Sequence, residues 1–129
     1  LCGRYLAGDG YLPAWAMNHI EAAYFSTAPR IPGVTLDEFA RLTRACEVHP
    51  VSVDGKPAGA VFVLGNEIHA CIMPWAKGRW MSKATLRILS DVVRKNGKAV
   101  TTATTKEGEA FVKRLGFAQE GEWWVCHGD

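Results

Sequence analysis

The chain has 129 residues, a formal net charge of +2, 48% hydrophobic and 22% charged residues, which is the composition of one globular domain with apolar material enough for a core. No apolar run approaches the roughly 20 residues that cross a bilayer, no charged-then-apolar leader opens the sequence, and neither a collagen-like period nor a disorder-type composition is present. A charge of +2 is too small for the strongly basic face of a nucleic-acid binder, so neither a nucleic acid nor a membrane is an expected partner.

The sequence starts at Leu1 rather than Met, which leaves room for a natural start further upstream. No repeat, low-complexity tract or linker divides it. A single domain over 1–129 is expected, with two helices at 13–26 and 35–47 ahead of a sheet-containing core at 48–129. Pro13 opens a run from Ala14 to Phe25 that is rich in helix formers and has apolar residues at helical spacing, with Trp15 on the core side. Residues 26–33, carrying Pro29 and Pro32, end it. Thr35 followed by Glu38 is a capping box for the second helix, whose apolar stripe is Leu36, Phe39, Leu42 and Cys46.

The period then changes. Pro50-Val51-Ser52-Val53, a turn at Asp54-Gly55, the apolar stretch 58–64, a turn at Gly65-Asn66 and the stretch 67–73 read as three short strands in an antiparallel meander. Pro74 stops the third strand. Met81, Ala84, Ile88, Leu89 and Val92 mark a long amphipathic helix that ends at Asn96-Gly97. A strand at 98–104 follows, and the intervening helix makes it the parallel neighbour of 67–73 through a right-handed crossover. A short helix at 109–115 closes on Gly116. Residues 117–119, a turn at Glu120-Gly121 and residues 123–126 then form a final hairpin. The order predicts an α/β (α+β) domain with a mixed sheet.

The cysteines Cys2, Cys46, Cys71 and Cys126 lie far apart without a CxxC pair, and the absent leader points to a reducing, cytoplasmic compartment in which they stay reduced and structural. The histidines His19, His49, His69 and His127 lack ligand spacing to them, so no metal is expected.

The stretch from Ile72 to Lys83 carries the most chemistry. It runs from a strand end to a helix start at the C-terminal edge of the expected parallel pair, where such sheets place ligands. A first helical turn exposes unpaired backbone N–H groups and the positive end of the helix dipole. Most helices place Asp or Glu there; this one offers Lys77, Arg79, Lys83 and Arg87, which are four of the 15 basic residues, and no acid. That arrangement suits a phosphate or pyrophosphate, and it also fits an ordinary basic surface loop. Trp75 and Trp80 flank the loop, while alternation in the last strand should turn one of Trp123 and Trp124 inward and the other outward.

The element order, the strand-Pro-loop-helix unit and the ending Phe111-Val112-Lys113-Arg114-Leu115-Gly116-Phe117 resemble the GNAT acetyltransferase superfamily over roughly residues 48–125. Gly78-Arg79-Trp80 after a His-x-x-Ile-x-Pro strand is more like GNAT-like proteins carried by tailed phages than like housekeeping members. The resemblance implies a GNAT-like mixed sheet with an antiparallel meander, a splayed parallel strand pair and flanking helices. It also implies acetyl-CoA as substrate, without a metal, and transfer of the acetyl group to an amine of a small molecule or protein. By position, the Ile72 backbone faces the acetyl carbonyl, Lys77 takes an Arg/Gln position, and the amides of Gly78, Arg79, Trp80, Met81 and Ser82 wrap the pyrophosphate. Thr105 stands where an Asn is frequent. A homodimer or a virion protein partner is the macromolecular contact the resemblance suggests, in the host cytoplasm or a virion if the chain is phage-encoded.

The sequence departs from the family pattern at Trp80, Ser82 and Val112. Trp80 stands at the first loop glycine, where backbone must approach phosphate closely; Ser82 stands at a Gly/Ala position and is small enough to serve as a helix cap. Val112 replaces the late-helix Tyr that protonates the departing thiolate in many members. For the base, alternation places Glu67, His69 and Cys71 on one strand face; His69 has the intrinsic range for proton transfer near neutral pH, and Glu67 acts through water. The same residues also read as a half-buried histidine and a turn-end glutamate. Cys71 is either an acyl-accepting nucleophile with His69 as its base or a buried inert thiol. A second overall reading keeps the fold without catalysis, as an interaction or virion-associated structural protein; a third is a domain for another acyl-CoA or nucleotide. No motif selects the acceptor.

Overall fold

The computed structural model describes residues 18–128. In chain order they form α1 (His19–Thr27), α2 (Leu36–Leu42), β1 (Glu47–Val53), β2 (Lys56–Leu64), β3 (Glu67–Ile72), α3 (Lys83–Asn96), β4 (Lys98–Thr101), α4 (Lys106–Arg114), β5 (Ala118–Glu120) and β6 (Trp123–His127). The six strands hydrogen-bond in the order β1-β2-β3-β4-β6-β5. β3 and β4 are parallel, while β4 with β6 and β5 with β6 are antiparallel, so the sheet is mixed and the α+β expectation holds. No described helix is long and apolar enough to cross a membrane.

The described residues form two compact units: one contains 18–62 together with Ala70–Met81, the other Val63–His69 and 82–128. In the first, α1 and α2 cover one face of β2. Ala23, Phe39, Ala60 and Phe62 form the buried cluster, with Ile20, Tyr24, Ile31, Val34, Cys46 and Cys71 packed around it. The rings of Tyr24 and Phe39 lie 5.5 Å apart and those of Phe39 and Phe62 meet edge-on at 5.8 Å, geometries that add to simple burial. Tyr24 keeps its hydroxyl satisfied by donating to the Val34 carbonyl at 2.5 Å. The Asp54-Gly55 turn between β1 and β2 has positive φ at both residues (55° and 76°), the backbone of a tight primed hairpin turn. Pro50 is tolerated in β1 because that strand is an edge of the sheet.

His19, at the start of α1, brings Nε2 to 2.9 Å from the Ser52 hydroxyl of β1. Burial holds its imidazole below the ordinary range. The folded state therefore favours the neutral ring, and the unfolded chain takes up the proton first as pH falls. The stability tied to His19 is complete above the ordinary imidazole value of about 6.5 and is lost as pH drops through the lower folded value. The urea midpoint is expected to fall on acidification through that window, and His19→Gln should flatten the dependence; an identical slope in the variant would refute the assignment.

In the second unit, β4 and β6 pair from Lys98↔His127 to Thr101↔Trp124. Val63 of β2, Val92 of α3, Ala99 of β4, Val112 of α4, Phe117, and Trp124 and Val125 of β6 are its buried apolar residues. α4 ends in a Schellman motif: Gly116, at φ 101°, donates its amide to the Lys113 carbonyl at 3.0 Å, and the Phe117 amide reaches the Val112 carbonyl at 3.0 Å. This places the Phe117 ring in the core. α3 ends at Gly97 in the left-handed region, whose amide donates to Val93 at 2.8 Å. As alternation requires, Trp124 is buried (4% exposed) and Trp123 faces outward (38%).

Several boundaries differ from expectation. The helix expected over 13–26 starts at His19, because Asn18 is extended and forms a capping box with Glu21; residues 13–17 lie outside the described residues. The helix expected over 35–47 does begin with the Thr35–Glu38 box but stops at Leu42, passes through a single 3-10 turn at Thr43–Ala45, and gives way to β1 at Glu47. Leu42 consequently stands exposed instead of continuing a core stripe. Met81 precedes α3, and Thr102 to Thr104 lie beyond β4. The last helix begins earlier than expected, at Lys106.

Candidate functional site

In the first unit, β3 ends at Ile72, which is buried, and Met73 donates its amide to the Ala58 carbonyl of β2 at 2.8 Å. Pro74 then opens a single 3-10 turn, Pro74–Ala76, its fixed φ suiting the first helical position. Ala76 is fully buried and pins this turn, while Trp75 stays exposed. The Lys77 amide donates to the Pro74 carbonyl at 3.2 Å and the Arg79 amide to the Ala76 carbonyl at 3.0 Å. Gly78 sits between them at φ 81° with open space around it. Of the amides expected to wrap a pyrophosphate, that of Arg79 is thus already committed inside the loop. Its side chain is committed as well: the guanidinium pairs with the Asp54 carboxylate at the β1–β2 turn. Lys77 is exposed, and Trp80 and Met81 are half-buried.

The chain enters the second unit at Ser82, the N-cap of α3, whose hydroxyl accepts the Thr85 amide at 3.2 Å. Ser82 thus takes the capping role that the sequence allowed it. The amides of Lys83 and Ala84 precede any intrahelical acceptor. α1, α2 and α4 each carry acids in the first turn, namely Glu21, Asp37 with Glu38, and Glu107 with Glu109; α3 carries none. Its start combines the positive end of the dipole with Lys83 and, one turn on, Arg87.

Also in the second unit, Glu67 and His69 share a face of β3, and Nε2 of His69 lies 3.1 Å from a Glu67 carboxylate oxygen. Both side chains remain partly exposed, so the pair is open to an incoming ligand. β3 and β4 meet in a single register pair, Glu67↔Val100, backed by a Val100 amide bond of 2.8 Å to the Asn66 carbonyl. The parallel ladder therefore begins at the Glu67 end of β3, next to the candidate base. Thr105, expected as a polar substitute near the cofactor, is the N-cap of α4 and accepts the Gly108 amide at 3.0 Å. Val112 is 9% exposed, part of the core rather than of an open surface.

Cys71 packs against the aromatic cluster of the first unit, and burial pushes its thiol up to about 11, with Arg30 opposing weakly. At neutral pH about one molecule in ten thousand carries a thiolate there, which disfavours a covalent acyl intermediate. Iodoacetamide at pH 8 is expected to label Cys71 about a hundredfold more slowly than an unstructured cysteine peptide, as read by peptide mass spectrometry; labelling at the peptide's rate would overturn the inert assignment. No group of three or more His, Cys, Asp or Glu residues suited to a metal ion occurs among the described residues.

The Arg79–Asp54 pair and the Asn18–Glu21 box were missed from sequence. The second had a readable signal, an Asn three residues before a Glu; the first joins residues 25 apart with no local pattern. No family model matches the chain, and no curated protein matches it at a significant level.

Proposed function

We propose that this chain is an acetyl-CoA-dependent N-acetyltransferase of the GNAT type. The observation that carries the reading is the start of α3: alone among the four described helices it has no acid in its first turn, it is capped by Ser82, and it carries Lys83 in its first turn and Arg87 one turn on. Backbone dipole and side-chain charge there have the same sign, which favours a bound diphosphate. The resemblance to GNAT enzymes and the parallel β3–β4 pair support the same assignment.

In this reading the start of α3, with Lys83, holds the pyrophosphate, and the acceptor amine attacks the thioester carbonyl directly. The new C–N bond forms as the C–S bond breaks, and the amine proton passes to the His69–Glu67 pair. With Val112 in the late-helix position, the departing thiolate takes its proton from water. Direct transfer agrees with a Cys71 thiol kept protonated by burial.

The test is acetyl-CoA-dependent release of free thiol in the presence of a panel of amines, spanning polyamines, peptide N-termini and lysine side chains. Lys83→Glu is expected to remove the activity by raising KM for acetyl-CoA at least tenfold, because a carboxylate then faces the phosphates. Wild-type-like kinetics in that variant would rule the assigned phosphate contact out.

A second reading, a GNAT-like fold kept for interaction with another protein such as a virion component, is favoured by the buried Val112 and by the engagement of Arg79 with Asp54. It predicts no thiol release with any amine.

A further inference from the structure

We propose that Asn96 is a site of spontaneous deamidation, with water as the only co-reactant, which the fold holds dormant until the last turn of α3 opens. Asn96 is followed by Gly97, and a glycine, lacking a Cβ, lets its nitrogen approach the preceding side chain. The reaction is an internal attack. The Gly97 nitrogen, stripped of its proton by hydroxide, forms a bond to Cγ of Asn96. The Cγ–Nδ2 bond breaks, and ammonia leaves after taking a proton from water, which returns the hydroxide. Water then opens the resulting five-membered imide at either carbonyl, giving aspartate or isoaspartate. Asn18 and Asn66 precede His19 and Glu67, whose side chains crowd the same approach.

In the folded chain both reacting groups are already tied, and all their partners lie in the second unit. The Gly97 amide donates to the Val93 carbonyl at 2.8 Å, and the Gly97 carbonyl accepts the Gly128 amide at 2.7 Å. Nδ2 of Asn96 spends its two protons on the Val92 carbonyl at 2.9 Å and the Gly65 carbonyl at 3.3 Å. The carboxamide is thus held against α3 and the β2–β3 turn, while the nitrogen that would attack it donates into the helix. Both residues are exposed, so water and hydroxide reach them once the turn loosens. The product does not fit the same place. A carboxylate at position 96 has no proton for either carbonyl, and it adds negative charge at the negative end of the helix dipole. Beside Gly65, the Asn66 carbonyl accepts the Val100 amide at 2.8 Å next to the Glu67↔Val100 pair. Losing the Asn96 tie therefore loosens the turn from which the parallel β3–β4 ladder starts.

The experiment incubates the whole chain at pH 8.5, native and in denaturing guanidinium chloride, and follows amide-to-acid conversion peptide by peptide in the mass spectrometer. Conversion at Asn96 is expected to be at least about tenfold faster in the unfolded chain than in the native one, with Asn18 and Asn66 intact over the same interval. Equal rates in the two states would show that the fold gives no protection, and an intact Asn96 in the denatured chain would remove the site; either result overturns the proposal. Asn96→Asp, which carries the product's charge from the start, is expected to lower Tm by about 3–5 °C. An unchanged Tm in that variant would contradict the claim that the product cannot restore the turn.

Discussion

Replacing Gly59 by alanine is expected to lower stability by about 4 kcal/mol, the largest effect of any single glycine substitution in the described chain. Gly59 lies in the buried stretch of β2 at φ 145°, a region L-residues rarely enter. A Cβ built on it falls 1.9 Å from the Cys71 carbonyl oxygen and 3.0 Å from both the Cys71 carbonyl carbon and the Ile72 Cα. All three are backbone atoms of β3, so no rotamer change relieves the clash; the strands must part, and with them the Met73–Ala58 bond. For a chain of this size the cost corresponds to a fall of about 15 °C in Tm. Gly78→Ala is the control. Gly78 also has positive φ, 81°, but nothing lies within 4 Å of its added Cβ, so only the backbone penalty of about 1 kcal/mol applies. Thermal unfolding of the two variants separates the terms, and a Gly59→Ala protein within a few degrees of wild type would contradict the close approach of β2 and β3.

The second large effect concerns the proton acceptor of the proposed transfer. His69→Ala and Glu67→Gln are each expected to reduce kcat by about 10²–10⁴ while leaving KM for acetyl-CoA near its wild-type value. The reasoning is geometric. The two groups touch at 3.1 Å on one face of β3, so the carboxylate can orient the ring and stabilise the imidazolium formed as the amine loses its proton. Because they act as one unit, the double variant should lose little more than either single one. Steady-state thiol release measures this directly. Multiplicative losses, or retention of more than a tenth of kcat in His69→Ala, would assign proton transfer elsewhere.

Much of the fold was readable because its signals are local. The Thr35–Glu38 box, the turns at Asp54-Gly55 and Gly65-Asn66, and Gly97 and Gly116 as helix stops each depend on residues within a turn of one another. The alternation that buries Trp124 and exposes Trp123 is likewise a property of one strand. Helix ends were read less well. The apolar spacing of Leu42 and Cys46 continued past the point where the chain turns into β1, and an apolar run before Asn18 masked the cap that starts α1. What could not be read depends on tertiary neighbours. Gly59 sits among small apolar residues with nothing in sequence to mark the carbonyl above it, and Arg79 reads as a free loop cation until Asp54 is placed beside it. The residues of the candidate site were legible as residue types in order. Their states were not: the amides spent inside the loop, Thr105 taken up by its helix, and the Val112 side chain in the core emerge only from the packed structure.

The central proposal is that the start of α3, where helix dipole and the charges of Lys83 and Arg87 coincide, holds the diphosphate of acetyl-CoA. Calorimetric titration of the wild-type protein with acetyl-CoA tests it most directly. The account predicts saturable binding with a Kd in the micromolar range, about −8 kcal/mol, weakening as salt is raised. No heat at millimolar acetyl-CoA would contradict it.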